Sequence, residues 1–151
     1  NHDLYLSGSV EPANRSLTDF SANVVGPQKQ VRFGSLIIPA NSYTFGSTPN
    51  DWGPEIAFDS LYLYTGGHLL IELRQTGTSS SRSVDALTTT TPGYGTLFSA
   101  CWGSGYTANS GSQGNFSIVR LTADDPIPVE LTAFSSCYPQ LRAGYQSHAP
   151  G

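Results

Sequence analysis

Charge is what this chain has least of. Only 12% of its 151 residues are charged, about half the roughly 25% of an average soluble domain. Lysine occurs once, at Lys29, and the seven basic residues are scattered. With a net charge of -4 and a pI near 5.1, the chain is excluded as a nucleic-acid binder, because phosphate contacts need clustered lysine and arginine. Methionine is absent, and Asn1 is accordingly read as a processed end left after removal of a signal peptide. Long apolar runs are missing too. The longest candidate, Leu69 to Ile71, is strand-sized, far short of the roughly 20 residues of a helical membrane span. No segment carries a helical period.

What fills the space left by charge is serine, threonine, glycine and asparagine. Neutral, hydroxyl-rich faces suit an extracellular β-protein, and 151 residues are enough for one domain with a real core. Turn residues punctuate the chain into nine or ten short strands spaced by roughly 8–14 residues, which predicts an all-β, jelly-roll or Greek-key β-sandwich. The sandwich is placed at residues 1–125, and residues 126–151 are read as a C-terminal strand and an extended tail. Early strands are expected at Asp3–Val10, Ser16–Val25 and Val31–Ile38, with Gly26-Pro27 as a break. A long loop from Pro39 to Pro54 follows.

The organising stretch is Phe58 to Thr76. Leu61 and Leu63 alternate with Tyr62 and Tyr64, then Thr65-Gly66-Gly67 makes a turn, then Leu69, Ile71 and Leu73 alternate with Leu70, Glu72 and Arg74. The period of two predicts a hairpin with the leucines in the core and the two tyrosines outside.

Three phrases carry a resemblance: Ile38-Pro-Ala-Asn-Ser-Tyr-Thr-Phe45, Asp51-Trp-Gly-Pro54, and Tyr64-Thr-Gly-Gly-His-Leu-Leu-Ile-Glu-Leu-Arg-Gln-Thr-Gly77. Together they resemble a group of secreted bacterial β-sandwich domains of cell surfaces and matrices, over about residues 3–123. The phrase Pro126-Ile-Pro-Val-Glu-Leu-Thr-Ala-Phe134 is similar to the segment that precedes sorting modules in proteins exported by type IX secretion. It departs from that pattern, because 17 residues follow Phe134, too few for such a module. The resemblance implies export and a place at the cell surface.

No catalytic set emerges. His2, His68 and His148 lie apart, and no Gly-x-Ser-x-Gly elbow is present, so the chain is expected not to be an enzyme. In an oxidising compartment Cys101 and Cys137 are expected to form one disulfide; two buried thiols, or a bond between subunits, are the alternatives. No cofactor is expected. The oxygen-rich groups Asp124-Asp125 and Asn50, Asp51, Glu55 and Asp59 are read as turn and cap residues, with a structural calcium as the other possibility. Asn14 and Asn115 begin Asn-x-Ser sequons, and Thr88, Thr89, Thr90 and Thr91 form a tract suited to O-linked sugar.

Function is therefore sought in contact surfaces. Trp52, Tyr62, Tyr64, Trp102 and Tyr106 are candidates for subunit contacts or for stacking on sugar rings. In the tail, Val129, Leu131 and Phe134 mark a strand that pairs with its own sheet or with a neighbour's. Strand addition between chains is a route to surface fibres. The expectation is a subunit of a bacterial surface filament or matrix that associates with copies of itself. A secreted carbohydrate-binding module is the alternative.

Overall fold

A computed structural model describes residues 1–47, 49–77 and 84–123, together with the backbone of 134–137. The chain is largely β. Its strands are β1 (His2–Ser9), β2 (Val24–Arg32), β3 (Leu69–Gln75), β4 (Ala86–Leu87), β5 (Phe98–Trp102), β6 (Ser112–Gln113), β7 (Phe116–Ser117) and β8 (Phe134–Cys137). Six of them make one mixed sheet in the order β2-β1-β3-β8-β5-β6, and β4 pairs with β7 in a small ladder.

Leu4 and Leu6 share a face of β1, as their spacing predicts. The register sets Leu4 beside Leu73 and Leu6 beside Ile71 on antiparallel β3. With Val31 and Leu69 these side chains form the main core. By the period of two, Ser7, Leu70 and Ser99 lie on the opposite face. Cys101 shares that face, and there Phe20 and Leu17 pack on it. Phe20 belongs to one of two short 3₁₀ turns, Pro12–Asn14 and Phe20–Asn23. Asp19 caps the second, accepting from Ser21 N at 3.0 Å. Irregular chain thus covers both faces of the sheet.

The expected hairpin does not form. Its turn is real, with Gly66 and Gly67 at φ 99° and 85°, the left-handed region that glycine enters without strain. Residues 58–64, however, make no ladder with β3. The reason is that both edges of β3 are occupied: β1 pairs on one side and β8 on the other. Residues 58–64 are displaced onto the sheet face instead.

Their orientation is also the reverse of the expected one. Tyr62 and Tyr64 pack against the core, while Leu61 and Leu63 are 74% and 79% exposed. The N–H groups of Asp59 and Ser60 donate to Val31 O at 2.7 and 3.2 Å, which pins the register of the segment. A shift of one residue exchanges faces, and this pin selects the tyrosines as the inward pair.

Gly26-Pro27 does not break β2. The strand runs through both residues, with register irregularity between the Leu6 and Gly8 pairings. β2 is an edge strand, where the N–H that proline lacks is not needed by a neighbour. Gly8 itself is held against Val25: a Cβ there would lie 2.7 Å from Val25 O.

Leu73 is almost fully buried in the main core. Leu73→Ala is expected to lower unfolding free energy by about 2–5 kcal/mol, whereas Leu63→Ala should change it by about 0.5 kcal/mol or less. Urea denaturation of the two variants checks the reversed facing directly.

Candidate functional site

The tail strand and the aromatic contacts were the functional expectations, and the structure separates them. Phe134 opens β8, while Val129 and Leu131 lie outside the described residues. β8 runs parallel to both neighbours. Phe134, Ser135 and Ser136 are register partners of Leu69, Leu70 and Ile71 on β3, and of Phe98, Ser99 and Ala100 on β5. A segment from late in the chain therefore fills the middle of the sheet, and among the described strands it joins the β2-β1-β3 side to the β5-β6 side.

No disulfide joins the cysteines, and that expectation is corrected here. Cys101 is buried with its thiol intact, and its Sγ donates to Ser16 O at 3.7 Å. Cys137 is its register partner on β8. Adjacent strands stand about 4.7–4.9 Å apart, whereas a disulfide draws the Cβ atoms to about 3.8 Å. Register alone does not supply that approach, and the Cys101 sulfur is turned into the Leu17–Phe20 cluster.

The five aromatic candidates are all half-buried and lie in four places. Tyr62 and Tyr64 sit on the main core, and burial pushes the Tyr62 hydroxyl above its ordinary pKa. Trp102 ends β5, and its Nε1 donates to Asn115 O at 3.1 Å. Glycine makes this placement possible: a Cβ on Gly114 would lie 1.8 Å from the Trp102 ring, and one on Gly111 1.8 Å from Trp102 O. Trp52 lies under the Arg120 guanidinium, 4.8 Å from the ring centroid. Arg120 Nη2 also stands 3.7 Å from Glu55 Oε1.

Tyr106 has a role that its sequence context did not signal. Its hydroxyl donates to Asp3 Oδ2, while Asp3 Oδ1 accepts from Gly34 N at 2.7 Å. The loop carrying Tyr106 is thereby tied to β1 and to the end of β2. Arg74 Nη1 donates to Tyr106 O at 3.2 Å, Arg74 Nε donates to Glu72 Oε1, and Gln28 Nε2 donates to Glu72 Oε2 at 2.6 Å. The polar face of β1 and β3 is thus a connected network. Burial opposes ionisation of Asp3, but the Tyr106 hydroxyl and the Gly34 amide outweigh it and hold the carboxyl below its usual range. The same bond to Asp3 pushes the Tyr106 hydroxyl well up.

His2 adjoins this network. Arg32 Nη1 donates to His2 O at 2.5 Å, and His2 Nε2 is buried with no hydrogen-bond partner. Burial first, and then the Arg32 charge, lower its pKa to about 4.

Oxygen-rich residues do not converge. Asn50 N and Nδ2 bond the two Asp85 oxygens at 2.9 and 2.8 Å, Asp59 Oδ2 accepts from Phe33 N at 2.9 Å, and Glu55 faces Arg120. Among the described residues no three His, Cys, Asp or Glu side chains gather as a metal set. Asp124 and Asp125 lie outside the described residues. Asn14 and Asn115 are exposed. Thr88 Oγ1 lies 3.0 and 3.3 Å from the hydroxyls of Thr90 and Thr91 in a turn. Thr89 is half-buried. Among the described residues, no helix is long and apolar enough to cross a membrane.

The unfolded chain binds a proton at His2 near pH 6.5, while the folded chain resists it until about pH 4. Stability from the neutral, buried imidazole is fully present above about pH 6.5 and is lost as pH falls toward 4. Asp3 acts lower, its contribution disappearing below the ordinary carboxylate value of 3.8. Urea midpoints measured between pH 4 and 7 should fall with acidity in the parent and flatten in His2→Gln.

Comparison with family models, with curated proteins and with solved structures returns no match to this chain.

Proposed function

We propose that this chain is a non-enzymatic extracellular structural subunit, which associates with copies of itself in a bacterial surface filament or matrix through its C-terminal strand. The observation that carries the reading is the position of β8, central in the sheet and parallel to both β3 and β5. Without it, β3 and β5 present two unsatisfied edges to one another. The same segment from a neighbouring copy makes the same ladder bonds, so exchange requires no new contact chemistry. The outer edges favour this route. β2 carries Gly26, Pro27 and Lys29, and β6 is two residues long, both devices that blunt edge-to-edge pairing. The jelly-roll or Greek-key closure belongs to the same reading, with the irregular layer over the Leu4–Leu73 face as the second wall of the sandwich. Sugars on Asn14, Asn115 and the Thr88–Thr91 tract would coat the exterior.

Light scattering after size exclusion and negative-stain images of the full chain test this. Species several times the 16.1 kDa monomer are expected. Ser136→Pro, which removes a ladder N–H from β8, should abolish the species larger than a dimer, and a synthetic peptide spanning residues 126–140 should compete with them. A full-length monomer at 100 μM, indifferent to the peptide, overturns the proposal.

A second reading, a secreted carbohydrate-binding module, is favoured by one place, the Trp52–Arg120–Glu55 edge. An indole with a cation and a carboxylate beside it suits a sugar ring and its hydroxyls. Trp52→Ala that removes binding on a glycan array while leaving assembly intact would support this reading. An array without signal from the parent chain would eliminate it.

A further inference from the structure

The layer over the main core is apolar on both of its sides. Ile56, Tyr62, Tyr64 and Val119 face inward. Outward stand Leu61 and Leu63, with Phe58 at 37% and Leu121 at 42% exposure. Phe33, 64% exposed, is joined to this segment by its N–H bond to Asp59. Phe58, Leu61 and Leu121 also line a groove of about 360 Å³ whose floor is Leu4 and Ile71. A segment apolar on both sides is the pattern of chain buried on both sides. Among the described residues only one side is covered.

The extent of the surface identifies what covers it. These five side chains expose apolar area on the order of 500–600 Å², at the top of the range for the largest patch on a monomer. That is most of the roughly 800 Å² that one partner brings to a standard interface. Charge is missing along the same stretches. Residues 33–50 and 60–71 contain no Asp, Glu, Lys or Arg, which matches the charge depletion of interface cores. The charges nearest the face are already matched: Asp59 accepts from the Phe33 amide, and Glu55 and Arg120, which also line the groove, face one another. The face set against its own copy therefore brings together no unpartnered charge.

We propose that the Phe33–Leu61–Leu63 face is a two-fold contact with a second copy of this chain, each copy covering the groove of the other. The contact rests on the self-association proposed above and adds to it a second mode. The tail strand joins copies through the sheet, and this face joins them side to side.

Sedimentation velocity of the full-length chain tests the face apart from the tail. The double variant Leu61→Glu, Leu63→Glu alters only exposed positions. It should keep the parent's circular dichroism and its affinity for the 126–140 peptide, while weakening pairing at least tenfold. Ser136→Pro should do the reverse, losing the peptide response and retaining a two-fold dimer. In parallel, Leu63→Cys should give a covalent dimer under mild oxidation, a readout that does not depend on how the charged variant folds. If the double variant associates like the parent and Leu63→Cys stays uncrosslinked, the face is not an interface. If the dimer persists but no chain responds to the peptide, the tail reading falls and the face stands.

Discussion

Both edges of β3 are occupied, and most of the structure follows from that. β1 supplies a seven-residue antiparallel partner on one side, and β8 supplies parallel pairing on the other. Because backbone N–H and C=O groups must be paired when buried, a strand in this position leaves no ladder for the segment that precedes it. Residues 58–64 are therefore moved from the plane of the sheet to its face. There Tyr62 and Tyr64 close the core, and Leu61 and Leu63 are left in solvent. The outward apolar surface, the groove beside it and the central tail strand are consequences of one pairing decision.

The second constraint is polar. With few charges available, the chain uses those it has at junctions. Asp3 binds the Gly34 amide and the Tyr106 hydroxyl, Arg32 binds carbonyls of His2 and Ser35, and Glu72 receives Arg74 and Gln28. These bonds lie partly or wholly out of water, where a charged hydrogen bond is worth more than an exposed ion pair such as Arg120–Glu55. They tie the irregular 103–111 loop and the end of β2 to β1.

Much of this was legible before the fold was known, and the failures have identifiable causes. The core alternation of Leu4 with Leu6, and of Leu69 with Ile71 and Leu73, was read correctly because one buried face imposes a period of two. The Gly66-Gly67 turn was read correctly because positive φ is a local requirement. Phe58–Tyr64 was misread. Its alternation is equally good in either facing, and the choice was made by two hydrogen bonds to Val31 O from Asp59 and Ser60. Gly26-Pro27 was misread as a break because edge position, which excuses proline, is not a local property. The cysteine pairing was misread because compartment and cysteine count say nothing about where a sulfur is turned.

The sequence by itself determined the β class, the neutral surface, the buried faces of Leu4–Leu6 and Leu69–Leu73 and the Gly66-Gly67 turn, since each depends on composition or on neighbours a few positions away. Tertiary structure alone decided which strand fills the centre of the sheet, which side of the Leu61–Tyr64 run is buried, and that Cys101 faces Ser16 rather than Cys137. Those outcomes depend on contacts between residues as far as 85 positions apart, as Ser16 and Cys101 are. The strand pairings among them compete for the same few edges, and only the assembled sheet determines which of them wins.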